Sequence, residues 1–401
     1  MLFSIMEFSM DLFDKYLDRT PTKSIKWDPD YMIERFKTAD LLPFNHAEMD
    51  FICPYPIVEC VQNRSKHEIY GYTLVKSDYY DSVINWYQSR HNIKYNSEEI
   101  LYSTGVIFSL RNAIQFYTKT GEEIAIFTPI YRPLAEAVSD QNRNLVTIPL
   151  CYEKEKYLMD FVALEKIFQT HQIKVLIICN PHNPVGRVWT HAELTQLGNL
   201  CINYDVMIIS DEIHCDLLSK GHKYTSITTI SPNDELKSIV LSSMTKTFNT
   251  SGLKIANIFI KNAELRKPFF EYYDKKFIYA PNVFGIHGMQ AAYDHCAPWV
   301  DLLTQYLDQN FNFVKEYLSE HSLNIDLIHR EGTPVIWLDF RQIPIAPNKV
   351  FNYLLKKARI ISYDGRDFTA NGGGFQRLSI GYPRHILKEG LDRIRNAIEL
   401  L

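Results

Sequence analysis

No run of about 18 consecutive apolar residues occurs in this 401-residue chain, so no membrane-spanning helix is expected. There is no C-x-x-C pair and no metal-ligand spacing. The seven cysteines are scattered, which reads as reduced thiols in a cytoplasmic protein that binds no metal. Neither sign of charge is in large excess, and a net charge of −4 gives no electrostatic reason to expect nucleic acid or an anionic membrane as partner. Internal repeats and low-complexity tracts are lacking as well. The opening stretch, MLFSIMEFSMDLF, has no basic region and carries Glu7 and Asp11, so a signal peptide is not expected. What is present is ordinary for a globular enzyme: 46% hydrophobic and 22% charged residues. The length allows two domains.

Short apolar runs alternate with helical patterns through the middle of the chain. EEIAIFT (122–128), KVLIICN (174–180), VMIIS (206–210) and SIVLSS (238–243) read as buried strands. Continuous apolar runs separated by helices predict a mostly parallel sheet covered on both faces. Between two of the runs, Thr190 and Glu193 have capping-box spacing ahead of Leu194, Leu197 and Leu200, which predicts a helix. The last hundred residues read differently. Helices near Trp299–Leu318 and Asn348–Ala358, strands TPVIWLDF (333–340) and FQRLSI (375–380), a loop with Gly372–Gly374 and a final helix predict a smaller α+β domain. The expected fold class is α/β. Residues 1–52 would pack with the small domain, 53–295 would form the large domain, and 296–401 the small one.

Three blocks carry the chemistry: NPHNPVG (Asn180 to Gly186), SDEIH (Ser210 to His214) and SSMTKTFN around Lys246. Most lysines are solvated. Lys246 instead follows an apolar strand amid small hydroxyl residues, where lost hydration lowers its pKa and frees the amine as a nucleophile. A lysine that forms a Schiff base, an acid that keeps a pyridine nitrogen protonated and a donor to a phenolate oxygen together meet the needs of pyridoxal 5′-phosphate. Asp211 fits the acid and Asn183 the donor. His214 is a second donor candidate. The segment LYSTGVIFSLRNAIQFY reads as strand, glycine turn and helix, so Gly105 and Val106 would offer backbone N–H groups to a phosphate. Ser243 and Lys254 are further phosphate candidates. Tyr131 in TPIYRP could stack on the pyridine ring, and Tyr70 and Tyr72 in YGYT are weaker aromatic candidates. Arg377, beside a glycine-rich loop, suits bidentate capture of a substrate carboxylate.

Along nearly its whole length the chain resembles the cystathionine β-lyase/C–S lyase branch of the aminotransferase-like, fold-type I PLP enzymes. The resemblance runs from RFKTADLLPFNHAEMDF (35–51) through YGYT, TGV, TPIY, CNPHNPVGRVWT, SDEIH, TKTFN and GGGFQRLSIGYPR. It implies a homodimer with its active site at the subunit boundary, where Tyr70 or Tyr72 reaches the partner's cofactor phosphate. It also implies β-elimination from sulfur amino acids: cystathionine to homocysteine, pyruvate and ammonia, or cysteine to sulfide. Transamination uses the same residues and is the alternative; a mainly regulatory protein-binding role is a third. Three positions depart from the family's pattern. Glu48 stands where Asp is usual, Ser379 where Asn is usual, and Thr245 where Ser is common. The first two bear on substrate preference.

Overall fold

Each apolar run in the middle of the chain forms a strand whose side chains alternate between two cores. In a computed structural model, which describes residues 8–153, 155–231, 235–276 and 281–401, seven strands make one sheet. They are β1 (Ile100–Ser103), β2 (Glu123–Thr128), β3 (Asn144–Pro149), β4 (Ile173–Cys179), β5 (Met207–Asp211), β6 (Ser238–Ser242) and β7 (Ala256–Phe259). The spatial order is β1-β7-β6-β5-β4-β2-β3. Only β7 runs against its neighbours; the others point the same way. Val175, Ile177, Met207, Ile209, Ile239 and Leu241 face one core. Leu176, Ile178, Ile208 and Val240 face the other. That is the two-residue period of a strand buried on both faces.

Helices cover both faces. Helix α1 (Val106–Tyr117) turns Leu110, Ala113 and Ile114 into the first core. Helix α2 (His191–Asn203) starts at the capping box read from the sequence: Thr190 Oγ1 accepts from Glu193 N, and Glu193 Oε2 accepts from Thr190 N. Leu194, Leu197 and Cys201 pack beneath it on the second core.

The second sheet is antiparallel, in the order β8-β9-β11-β10, from β8 (Asp326–Leu327), β9 (Val335–Asp339), β10 (Tyr363–Asp364) and β11 (Phe375–Ser379). Helix α3 (Ala297–Glu320) begins two residues earlier than the apolar pattern suggests, because Pro298 suits a first turn that needs no N–H partner. The helix read near Asn348–Ala358 is broken. It runs as a 3₁₀ turn, one α-turn at Val350–Tyr353 and a π-helical turn at Leu354–Ala358. Helix α4 (Arg384–Ile398) closes the chain.

The N-terminal segment packs on these later elements. Phe13 lies against Phe51, Trp299 and Tyr306, and Tyr306 OH meets Asp14 Oδ1 at 2.5 Å. Leu42–Pro43 pairs in parallel with Ile360–Ile361. Residues 1–7, which open the apolar N-terminal stretch, lie outside the described residues. No helix among the described residues is long and apolar enough to cross a membrane.

Candidate active site

The loops after β1, β2, β4, β5 and β6 all leave one rim of the large sheet, the carboxyl ends of its codirectional strands. The loops after β1, β2, β4 and β6 carry Gly105, Tyr131, Asn183 and Lys246, and Asp211 is the last residue of β5 itself. Ligands in open α/β sheets bind at such a rim. Reversed β7 starts where the others end, so it brings Lys254 and Ile255 to the same place. These residues line a cavity of about 560 Å³, together with Val106, His214 and Arg377.

The loop holding Lys246 is fixed from both sides. Thr247 Oγ1 donates to buried Asp216 at 2.9 Å, and Phe248 N donates to Met244 O at 2.9 Å. Burial pulls the Lys246 ammonium below its usual pKa; Glu48 and Asp211 oppose that pull, and Arg377 adds to it. Asp211 is pushed up to about 7 by burial, which its single hydrogen bond, from Ile213 N at 3.1 Å, and Lys246 offset only in part. His214 is driven down to about 3 by burial and by Lys246 and Arg377, so its ring is neutral, and its Nδ1 has no partner among the described residues.

Asn180 and Asn183 divide the work of their loop. Asn180 is spent on structure: its Nδ2 donates to Thr225 O at 2.9 Å and its Oδ1 accepts from Trp189 N at 3.2 Å. Asn183 faces the cavity, and its Oδ1 accepts from Arg377 Nη1 at 2.9 Å. That leaves the Asn183 amide nitrogen without a partner among the described residues.

Arg377 arrives from the other sheet. It stands opposite Trp337 of β9 and Tyr363 of β10. Its guanidinium lies 4.8 Å from the centre of the Tyr363 ring and 5.0 Å from that of Phe368. Nη2 donates to Asn45 O at 2.5 Å, and Nε is buried without a partner among the described residues. Burial lowers its pKa to about 10, which still leaves it charged near neutrality.

One phosphate candidate does not reach the cavity wall, and several residues were not foreseen. Ser243 does not line the cavity. Its oxygen caps its own turn by accepting from Thr245 N, and the hydroxyl meets Ile255 O at 2.6 Å; Ser251 lines the wall instead. Tyr70 and Tyr72 lie outside the cavity of their own chain, as a role in a partner's site requires. His46 and Tyr363 line the cavity, though no motif marked them, and Glu48, noted only as a departure, is part of the wall. Tyr363 could have been found as the cross-strand neighbour of Arg377; His46 has no such signal. Tertiary contacts also make two clusters of potential metal ligands, His91–Cys215–Asp216 and His222–His329–Glu331. Their carboxylates are already engaged, Asp216 by Trp86, His91 and Thr247, and Glu331 by Arg187, Val188 and Lys156.

The donor set fits pyridoxal phosphate. A buried carboxylate with one hydrogen bond suits a pyridinium N–H. A free amide nitrogen suits a phenolate oxygen. The start of α1 leaves its first N–H groups unpaired beside Gly105, where a Cβ would meet nothing within 4 Å, and Lys254 adds a cation.

Comparison with known proteins agrees with this reading. The family model for aminotransferase class I and II matches residues 47–394. The chain is 34% identical to cystathionine beta-lyase PatB of Bacillus subtilis, over 96% of this chain and 99% of that protein. Cystalysin from Treponema denticola, solved with pyridoxal 5′-phosphate, superposes with a TM-score of 0.92 at 30% identity, covering 98% of this chain and 99% of cystalysin. The PLP-bound C–S lyase of Staphylococcus hominis gives 0.89 at 29% identity, over 98% of this chain and 99% of that one. The chain belongs to the class I and II aminotransferase family, in its cystathionine β-lyase/C–S lyase branch, and has the fold-type I architecture of PLP-dependent enzymes.

Proposed function

We propose that this chain is a PLP-dependent carbon–sulfur lyase that performs β-elimination on sulfur amino acids, releasing homocysteine from cystathionine and sulfide from cysteine. One observation carries the reading: Lys246, from the large sheet, and Arg377, from the small one, enter the same cavity. An amino acid held by its carboxylate on Arg377 presents its α-carbon toward Lys246.

When bound, pyridoxal phosphate supplies an electron sink for the charge that develops at the substrate's α-carbon. The chain's own residues do the rest. Asp211 would pair with the pyridine nitrogen, the Asn183 amide, with His214, would serve the phenolate oxygen, and Tyr131 would stack on the ring. The N–H groups following Gly105, with Ser251 and Lys254, would hold the phosphate. Lys246, its ammonium weakened by burial, takes the α-proton as general base. Arg377, stacked between Tyr363 and Phe368, fixes the carboxylate and so the direction of the α-hydrogen. The Cβ–S bond then breaks with both electrons going to sulfur. The released 2-aminoacrylate takes up water and yields pyruvate and ammonia.

A homodimer in the cytoplasm completes the reading, with YGYT of one subunit reaching the other's phosphate. The test is to incubate the holoenzyme with cystathionine, with cysteine, and with alanine or an aromatic donor plus a keto acid. Pyruvate formation from the sulfur amino acids should exceed transamination in kcat/KM. The reverse order would turn the assignment to an aminotransferase. Borohydride reduction and peptide mapping should place the pyridoxyl group on Lys246.

A further inference from the structure

Two carboxylates line the cavity among the described residues, Asp211 and Glu48. Asp211 is assigned to the pyridine nitrogen, which leaves Glu48 facing the substrate's space. The backbone of Glu48 is pinned, its carbonyl accepting from buried Lys26 Nζ at 2.9 Å. Its Oε1 is taken by Arg19 Nη2. Its Oε2 has no hydrogen-bond partner among the described residues. The cations around it are already shared: Arg19 also binds Asp50 at 2.6 Å, and Lys26 binds Asp50 at 2.7 Å. Two cations and two carboxylates therefore balance, and no spare positive charge faces the cavity at this point. His46, next along the wall, is held neutral by burial and by Lys26, its pKa down to about 4. The three cations that do line the cavity, Lys246, Lys254 and Arg377, each have a task in the proposed mechanism.

A side chain that ends in a carboxylate would meet a like charge here with no counter-ion to spare. One that ends in an ammonium would meet Oε2. We propose that Glu48 is a specificity-determining residue that selects amino acids whose side chain ends in an ammonium group, as the second amino-acid end of cystathionine does, over those ending in a carboxylate alone. The proposal rests on reading the cavity as an amino-acid site.

Binding of amino acids that carry no β-leaving group tests it without turnover. Lysine, norleucine and 2-aminoadipate have the same chain length and differ in terminal charge. Titrated into the holoenzyme and followed by the absorbance of the bound cofactor, lysine should bind most tightly and 2-aminoadipate most weakly. Glu48→Gln should narrow the lysine-to-aminoadipate ratio by roughly tenfold, and Glu48→Asp, which keeps the charge, should largely preserve it. Arg19 stays anchored by Asp50 in both variants. An unchanged ratio in Glu48→Gln overturns the proposal. So does an equal loss for all three ligands, which would place Glu48 on the α-ammonium they share, or failure of the wild type to bind any of them. The wild-type order needs no variant and decides by itself if Glu48→Gln does not fold. If the order holds but no sulfur amino acid yields pyruvate, the lyase reading fails while this one stands.

Discussion

Strand β5 ends on Asp211, and a second carboxylate, Glu212, follows it directly with a different set of partners. Burial raises both to about 7. Glu212 is met by the Tyr224 hydroxyl, by Ser210 Oγ at 2.8 Å and by Ile227 N at 3.1 Å, so it serves the fold. Asp211 has one hydrogen bond and faces the cavity, so its charge costs stability until a cation joins it. A carboxyl whose folded pKa lies above its unfolded value contributes stability at low pH that is lost as pH rises through the folded value. In cofactor-free protein Asp211→Asn should therefore be more stable than wild type at pH 8, by about 4 kcal/mol for a rise of about three pKa units at ~1.4 kcal/mol each. The difference should vanish toward pH 4. Urea unfolding at both pH values measures it, and an equal effect at both would show that Asp211 does not titrate in this window. The same variant should bind the cofactor at least about tenfold more weakly, stability and function pulling in opposite directions. Asp211, Asn183 and Lys246 were legible in the sequence because each ends or follows a recognisable buried strand. Glu48, His46 and Tyr363 were not, because they reach the cavity from segments remote in sequence.

The elements that could be read were those whose environment is uniform. Strands β2, β4, β5 and β6 were placed to within a residue because nearly every side chain in them is buried. Strand β7 escaped notice. It is short, and its buried Asn257, which accepts from Tyr79 OH at 2.7 Å, interrupts the apolar pattern. The element most consequential for the site, the extended wall of residues 45–50, has no periodicity at all. It is held by contacts instead. Asp50 N donates to Gly381 O at 2.7 Å, and Met49 lies flat on Gly381. A Cβ there would sit 2.3 Å from Met49 Cγ and 3.1 Å from its Cα. Gly381→Ala should thus push the wall out of place, at about 1–3 kcal/mol, the usual cost of overpacking. Because the cofactor residues sit mainly on the other sheet, amino-acid affinity should fall more than cofactor affinity. Parallel spectroscopic titrations decide it, and a larger loss for the cofactor would contradict the division of labour between the two sheets.

At the scale of the whole molecule, one apolar stretch is left uncovered. Ile69, Tyr70, Tyr72 and Leu74 are all exposed, and Tyr72 almost completely, at 98%. A run of large apolar side chains in solvent marks an interaction surface, and the proposed dimer would cover it. The two tyrosines are not equivalent. Tyr70 is engaged within its own chain: its hydroxyl donates to Ser65 O at 2.7 Å, and its ring packs 5.5 Å from that of Phe284 and under Arg64. Tyr72 has no such ties among the described residues, so in the proposed dimer it is the one that would be free to reach the partner's cofactor phosphate. Tyr72→Phe should weaken cofactor binding, whereas Tyr70→Phe should leave it nearly unchanged. Sharing itself is tested by mixing subunits. A dimer of one Lys246→Ala chain and one Tyr72→Phe chain contains one site with both Lys246 and the partner's Tyr72. Activity should therefore recover when the two inactive or weakened proteins are unfolded, mixed and refolded, toward half that of wild type in the hybrid. Hybrids identified by differently tagged subunits but showing no recovery would mean that each chain builds its phosphate site alone.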